Sequence, residues 1–148
     1  MITVISEEKT GTEFNIYNNV CKNVISVYDR YYGMLIDANN VNVFNNSLDN
    51  GSFGITVGSL YQQDLNNAAS NISIKSNVFK NFYRNINAIN VSKLKVLQNI
   101  FGKADNYCFV EENISETIIA HNIYTDETTF YLNQTGSIVN KVGNIFEV

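Results

Sequence analysis

Residues 71–82 read "NISIKSNVFKNF". Ile72 and Ile74 alternate with Ser73 and Lys75, as a strand with one buried face requires. An asparagine, Asn77, then stands beside two apolar residues, Val78 and Phe79. The arrangement recurs. Asparagine followed by two mostly apolar residues is found at Asn19, Asn46, Asn77, Asn99, Asn122 and Asn144, at spacings of 27, 31, 22, 23 and 22 residues. Five and three positions upstream lie the pairs Phe14/Ile16, Val41/Val43, Ile72/Ile74, Leu94/Val96 and Thr117/Ile119. In the last repeat Lys141 takes the second place, and Val142 points to a slip of one residue. A second strand follows each asparagine at a looser offset, read as Met34–Ile36, Phe53–Val57, Ile86–Ile89, Tyr107–Val110 and Thr129–Leu132.

Each unit therefore holds a strand, an asparagine corner, a short apolar strand, a turn and a further strand. Units of this length without a helical period predict one all-β domain over residues 1–148, a solenoid of stacked parallel strands. Equal positions in neighbouring units would lie about 4.8 Å apart. An asparagine repeated at one corner would then stack on its copies. Its amide would bond the next amide and cap corner N–H and C=O groups that no strand satisfies. A left-handed hexapeptide helix is disfavoured because no six-residue apolar period is visible. A Greek-key sandwich would supply short strands but would not explain the recurring asparagine register.

The pattern from Phe14 to Phe146 resembles the right-handed parallel β-helix family of pectate lyases, polygalacturonases and bacteriophage tailspikes. Stacked asparagines at the corner between two sheets are a hallmark of that family. The resemblance implies a right-handed parallel β-helix of about six coils with an asparagine ladder. It is specific for fold and not for activity, because the family hosts lyases, hydrolases, epimerases and non-catalytic adhesins. It implies a polysaccharide partner and a virion or extracellular location. The strand "ITVI" at residues 2–5 precedes any complete unit, and "GNIFEV" stops inside one. The chain thus reads as a short form, or a piece, of a longer β-helix. Open ends would expose apolar layers and strand edges, so a homo-oligomer, most simply a trimer, is expected.

Composition narrows this picture. Hydrophobic residues make up 45% and charged residues 16% of 148, which fits a packed domain and not a disordered chain. Proline is absent and asparagine supplies 25 residues, a combination suited to many strands and tight corners. A net charge of −4 argues against a broad nucleic-acid surface, and no apolar run reaches membrane-spanning length. Cys21 and Cys108 are three units apart, about 14 Å, too far for a disulfide, so both read as free thiols. His121 precedes a ladder asparagine and shares its place with Asn18, Asn45, Ser76 and Gln98, which makes it a solvent-facing corner residue. No nucleophile motif, nucleotide loop or metal-ligand spacing appears, so neither cofactor nor metal is expected.

Candidate chemistry lies where the chain departs from its 22-residue period, at residues 22–33 and 58–70, since insertions in repeat proteins often form the binding face. The only two arginines stand in aromatic company, Arg30 with Tyr28, Tyr31 and Tyr32, and Arg84 with Phe82 and Tyr83. Aromatic faces pack on sugar rings, and guanidinium forks bind carboxylates. Arg30, Tyr31, Tyr32, Tyr83 and Arg84 are therefore the candidate ligands for an acidic polysaccharide. The alternative is a patch that stacks on itself or fills a subunit interface. Asp29, Asp49 and Asp105 fall in the turn before the second strand and are the candidate catalytic groups. Asp29 and Asp49, one unit apart at about 5 Å, would suit a retaining glycosidase, although turns attract aspartate for local hydrogen bonding anyway. Pectate-lyase-like enzymes group acidic residues around Ca²⁺ beside a basic residue, and no counterpart is visible here. The leading expectation is recognition of a bacterial surface glycan without catalysis; a hydrolase or lyase, or a fibre shaft that binds no sugar, are the competing classes.

Overall fold

The computed structural model describes residues 1–5, 13–24, 32–58, 69–125, 132–133 and 139–146. These are all β, in two parallel sheets. With strands numbered in chain order, the first sheet has six: β2 (Phe14–Tyr17), β5 (Val41–Phe44), β7 (Ile72–Lys75), β9 (Leu94–Leu97), β12 (Thr117–Ala120) and β15 (Val139–Val142). The second has ten: β1 (Ile2–Ile5), β3 (Val20–Val24), β4 (Tyr32–Asp37), β6 (Ser47–Val57), β8 (Val78–Val91), β10 (Ile100–Phe101), β11 (Ala104–Ile114), β13 (Ile123–Tyr124), β14 (Leu132–Asn133) and β16 (Ile145–Phe146).

Stacking register follows the asparagine spacing. Ile16, Val43, Ile74, Val96 and Ile119 align as one column across β2, β5, β7, β9 and β12, and all are buried. Across the corner, Cys21, Leu48, Phe79, Phe101 and Tyr124 align as a second inward column. Its aromatic members stack face to face, with centroids 5.0 Å apart for Phe79–Phe101 and 5.2 Å for Phe101–Tyr124. Burial pushes the Cys21 thiol and the Tyr124 hydroxyl up from their ordinary values, the latter with a smaller contribution from Cys108. Both cysteines are free and buried.

The asparagines form a continuous ladder. The Asn99 Oδ1 accepts the Asn77 backbone N–H at 2.9 Å and the Asn77 side-chain amide at 3.1 Å. The Asn99 amide donates to the Ile74 carbonyl at 3.0 Å and to the Asn122 Oδ1 at 3.1 Å. The pattern runs from Asn19 through Asn46 to Asn144. The amides thus satisfy main-chain groups at a corner where the chain leaves one sheet for the other.

A second regularity lies one residue earlier. Asn18, Asn45, Ser76, Gln98 and His121 all have φ between 55° and 57°, and Gly143 has φ 60°. Each corner therefore turns through the left-handed region, which asparagine and glycine tolerate best. Two further corners do the same, at Asn23, Asn50 and Asn81 and at Asn40 and Asn71. Left-handed corners, as much as the ladder, account for the asparagine content.

Three details differ from the sequence reading. The slip at Val142 does not occur: Ile119 aligns with Lys141 and Thr117 with Val139, because β12 and β15 pair over their whole length. The turn expected between short and second strand is absorbed into continuous strands in β6 and β8. Parallel pairing carries through the bend, aligning Asp49 with Lys80 and Gly51 with Phe82. Asp49 consequently lies inside β6 and not in a turn. At that bend Gly54 makes room for its neighbours, since a Cβ there would sit 2.9 Å from Phe79 Cδ1 and 2.5 Å from the Asn85 carbonyl.

Candidate functional site

Arg84 lies at the middle of β8, where register aligns it with Phe53 of β6 and Tyr107 of β11, and Phe53 in turn with Tyr32 of β4. The parallel stack thus sets Arg84 in a column otherwise made of aromatic residue types. Its guanidinium carbon lies 5.6 Å from the Phe53 ring centroid and 5.5 Å from that of Tyr83. The two rings meet edge to face at 6.4 Å and 79°. The Nη1 donates to Asn87 Oδ1 at 3.0 Å. The Nε is buried and has no hydrogen-bond partner among the described residues. Among the described residues no carboxylate forms an ion pair with this half-buried cation.

Among the described residues this cation has no counter-charge. Removing a guanidinium from water has a penalty that one neutral amide and two ring faces offset only in part. Cation–π contacts contribute on the order of 0.5–1 kcal/mol each at such partly exposed sites. An arriving carboxylate would find unused N–H donors in a fixed plane. Tyr83, 45% exposed, offers its ring beside that plane.

The other predicted residues are placed as follows. Tyr32 begins β4 in the Arg84 column, while Asp29, Arg30 and Tyr31 lie outside the described residues. Asp49 accepts a 3.0 Å hydrogen bond from the Asn81 amide and is flanked in register by Lys22 and Lys80. Asp105, too, lies inside a strand, β11, and not in a turn, and forms an exposed ion pair with Lys103 at 3.3 Å. Such pairs add about 0–1 kcal/mol. Asp49 and Asp105 are two strands apart and out of register, since Gly51, Phe82 and Ala104 align. Their separation is on the order of 10 Å or more, beyond the roughly 5–5.5 Å of a retaining pair. Among the described residues no group of three or more His, Cys, Asp or Glu side chains is placed to hold a metal ion.

Sequence reasoning missed the outer face of the six-stranded sheet. There the outward partners of the core columns line shallow hollows of about 340, 370 and 240 Å³. The signal was present in the alternation itself, which puts Ser73 and Lys75 opposite Ile72 and Ile74. What was not legible was which lysines of different repeats become neighbours. No protein-family model, curated protein or solved structure matches the chain.

Proposed function

We propose that the stacked repeats close into a right-handed parallel β-helix of about six coils, and that this chain recognises an acidic polysaccharide at a bacterial surface, in the manner of a tailspike acting from a virion or extracellular position. The observation that carries the reading is Arg84, a half-buried guanidinium held between Phe53 and Tyr83 with a buried, unbonded Nε. A uronic-acid carboxylate would supply the missing counter-charge, and its sugar ring would lie against the exposed Tyr83 face. Recognition is favoured over catalysis because Asp49 and Asp105 stand apart and each is already engaged by a neighbour.

Side-by-side association into a homotrimer belongs to the same proposal. It is supported by an outward column, Val20, Ser47, Val78, Ile100, Ile123 and Ile145, apolar at every position but Ser47, in which Val20 is 66% and Ile145 55% exposed. A trimeric mass by light scattering is expected, and a strictly monomeric one at micromolar concentration would refute it.

The functional test is a glycan array followed by affinity measurement. Arg84→Ala is expected to weaken binding of an acidic glycan by roughly ten- to hundred-fold, the loss of a charge-assisted bond. It also removes the Asn87 bond and two ring contacts, so affinity is measured well below the thermal midpoint. Binding of acidic glycans that survives Arg84→Ala unchanged would move the site elsewhere, and an array with no acidic hit would favour the fibre shaft.

A further inference from the structure

The six-stranded sheet presents the open side of the described structure. Its strands alternate a buried with a less buried position, as in Val41–Phe44 and Ile72–Lys75. By contrast, residues 54–57 and 85–88 of the ten-stranded sheet are buried without alternation. An alternating strand has a solvated face, and a continuously buried one does not.

Register turns the outward positions of that face into a grid. In β7 and the residue before it these are Asn71, Ser73 and Lys75; in the next repeat they are Lys93, Lys95 and Leu97. Lys95 stands beside Ser73, and Lys75 beside Leu97, so Lys75 and Lys95 are diagonal neighbours, about 7–8 Å apart at Cβ. All three lysines are exposed, and among the described residues none is in an ion pair. The two preceding repeats place Tyr17 on Phe44, centroids 5.1 Å apart and planes within 7°. Tyr17 is 52% exposed.

Between lysines and rings runs a floor of amides. The three hollows of this face are contiguous, the first two sharing Asn42 and the second and third sharing Asn71. The amides are already oriented. Asn42 donates to Glu13 Oε1 at 2.8 Å and to Asn15 Oδ1 at 3.2 Å, and Asn71 donates to Asn40 Oδ1 at 2.8 Å. Ordered amides lose little freedom when a ligand hydroxyl arrives.

We propose that this groove binds one strand of an anionic polysaccharide laid along the direction of stacking. Lys75, Lys93 and Lys95 meet its acid groups, the amides of Asn15, Asn42 and Asn71 meet its hydroxyls, and the Tyr17–Phe44 pair takes the face of a sugar ring. Charge argues for an acidic chain, because in a molecule of net charge −4 Lys75, Lys93 and Lys95 outnumber the two carboxylates that line the same hollows, Glu13 and Glu116, the latter in register beside Lys93. A nucleic acid fits less well. Three lysines neutralise few phosphates, and one ring pair stacks few bases. The groove is on a different sheet from Arg84, and the proposal does not rest on that residue.

The experiment uses the Arg84→Ala background, so that binding at Arg84 does not enter. A fluorescent oligogalacturonate is titrated at low salt, beside neutral dextran and a single-stranded oligothymidylate. The acidic oligosaccharide is expected to bind, more weakly as salt rises. Adding Lys75→Gln with Lys95→Gln is expected to weaken it by roughly tenfold to hundredfold, with the thermal midpoint unmoved because both side chains are exposed. The pair Lys22→Gln with Lys80→Gln, on the other sheet, is expected to leave affinity unchanged. The proposal is overturned by absence of binding in this background, by binding that survives the Lys75 and Lys95 substitutions, by equal loss in the Lys22 and Lys80 pair, by equal affinity for dextran, or by tighter binding of oligothymidylate. Arg84 is tested separately, by comparing Arg84→Ala with native Arg84 when both proteins carry Lys75→Gln and Lys95→Gln, so that the groove does not contribute.

Discussion

Truncating Asn99 to alanine tests whether the asparagine ladder holds the stack together. Asn99 is fully buried and takes part in four side-chain hydrogen bonds, two accepted from Asn77 and two donated to Ile74 and Asn122. Alanine removes all four, but the consequences differ. The Asn77 amide keeps the Val43 and Lys75 carbonyls as acceptors, and the Asn122 Oδ1 keeps the Asn99 backbone N–H. The Asn77 backbone N–H and the Ile74 carbonyl lose the ladder partner that bridges to them. Each orphaned main-chain group costs about 1–3 kcal/mol, so the substitution is expected to destabilise by roughly 2–6 kcal/mol. For a chain of this size that lowers the thermal midpoint by roughly 4–24 °C. Asn19→Ala is the internal control. Asn19 is only half-buried, and its amide donates to the Asn46 Oδ1 and to the Tyr17 carbonyl, the latter in an exposed bond. Water can replace that bond, and a loss of about 0.5–1.5 kcal/mol is expected. The assay is equilibrium denaturation in urea with circular dichroism, checked by calorimetry because repeat arrays do not always unfold in two states. A loss in Asn99→Ala no larger than in Asn19→Ala would refute the argument, since it would mean that burial of the ladder does not set its energetic weight.

Two further outcomes are expected. Gln98 holds φ 55° in a column that also contains Asn18 and Asn45, so Gln98→Asn should stabilise by about 0.5 kcal/mol and Gln98→Val should destabilise by about 1–2 kcal/mol, both read from chemical denaturation. Tyr124 has a raised folded-state value, so above about pH 10 the unfolded chain loses this proton while the folded chain keeps it, and stability falls with rising pH. Tyr124→Phe should make that alkaline decline shallower by about 1.4 kcal/mol per pH unit, measured as denaturation midpoints between pH 9 and 11; identical slopes in the two proteins would contradict it.

The parts of the molecule that repeat in the sequence were legible in it. A ladder position must be filled in every repeat by a side chain with both a donor and an acceptor, so Asn19, Asn46, Asn77, Asn99, Asn122 and Asn144 announce the register directly, and Phe14/Ile16 through Thr117/Ile119 follow at fixed offset. Inward and outward faces of the six-stranded sheet were equally readable, because alternation is a property of the strand alone. Other features needed the assembled structure. The bend absorbed into β6 and β8, the in-register seat of Lys141, and the position of Asp49 inside a strand depend on lateral pairing, which continues or stops according to the neighbouring repeat. The left-handed corners were hidden because Ser76 and Gln98 adopt the same φ as Asn18 without its preference for it; ladder bonding on one side and sheet pairing on the other impose the turn. The surroundings of Arg84 and the grouping of Lys75 with Lys95 are also products of stacking. Side chains 20 to 31 residues apart become neighbours only through the register between repeats, which unequal repeat lengths obscure in the linear chain and parallel hydrogen bonding restores in the fold.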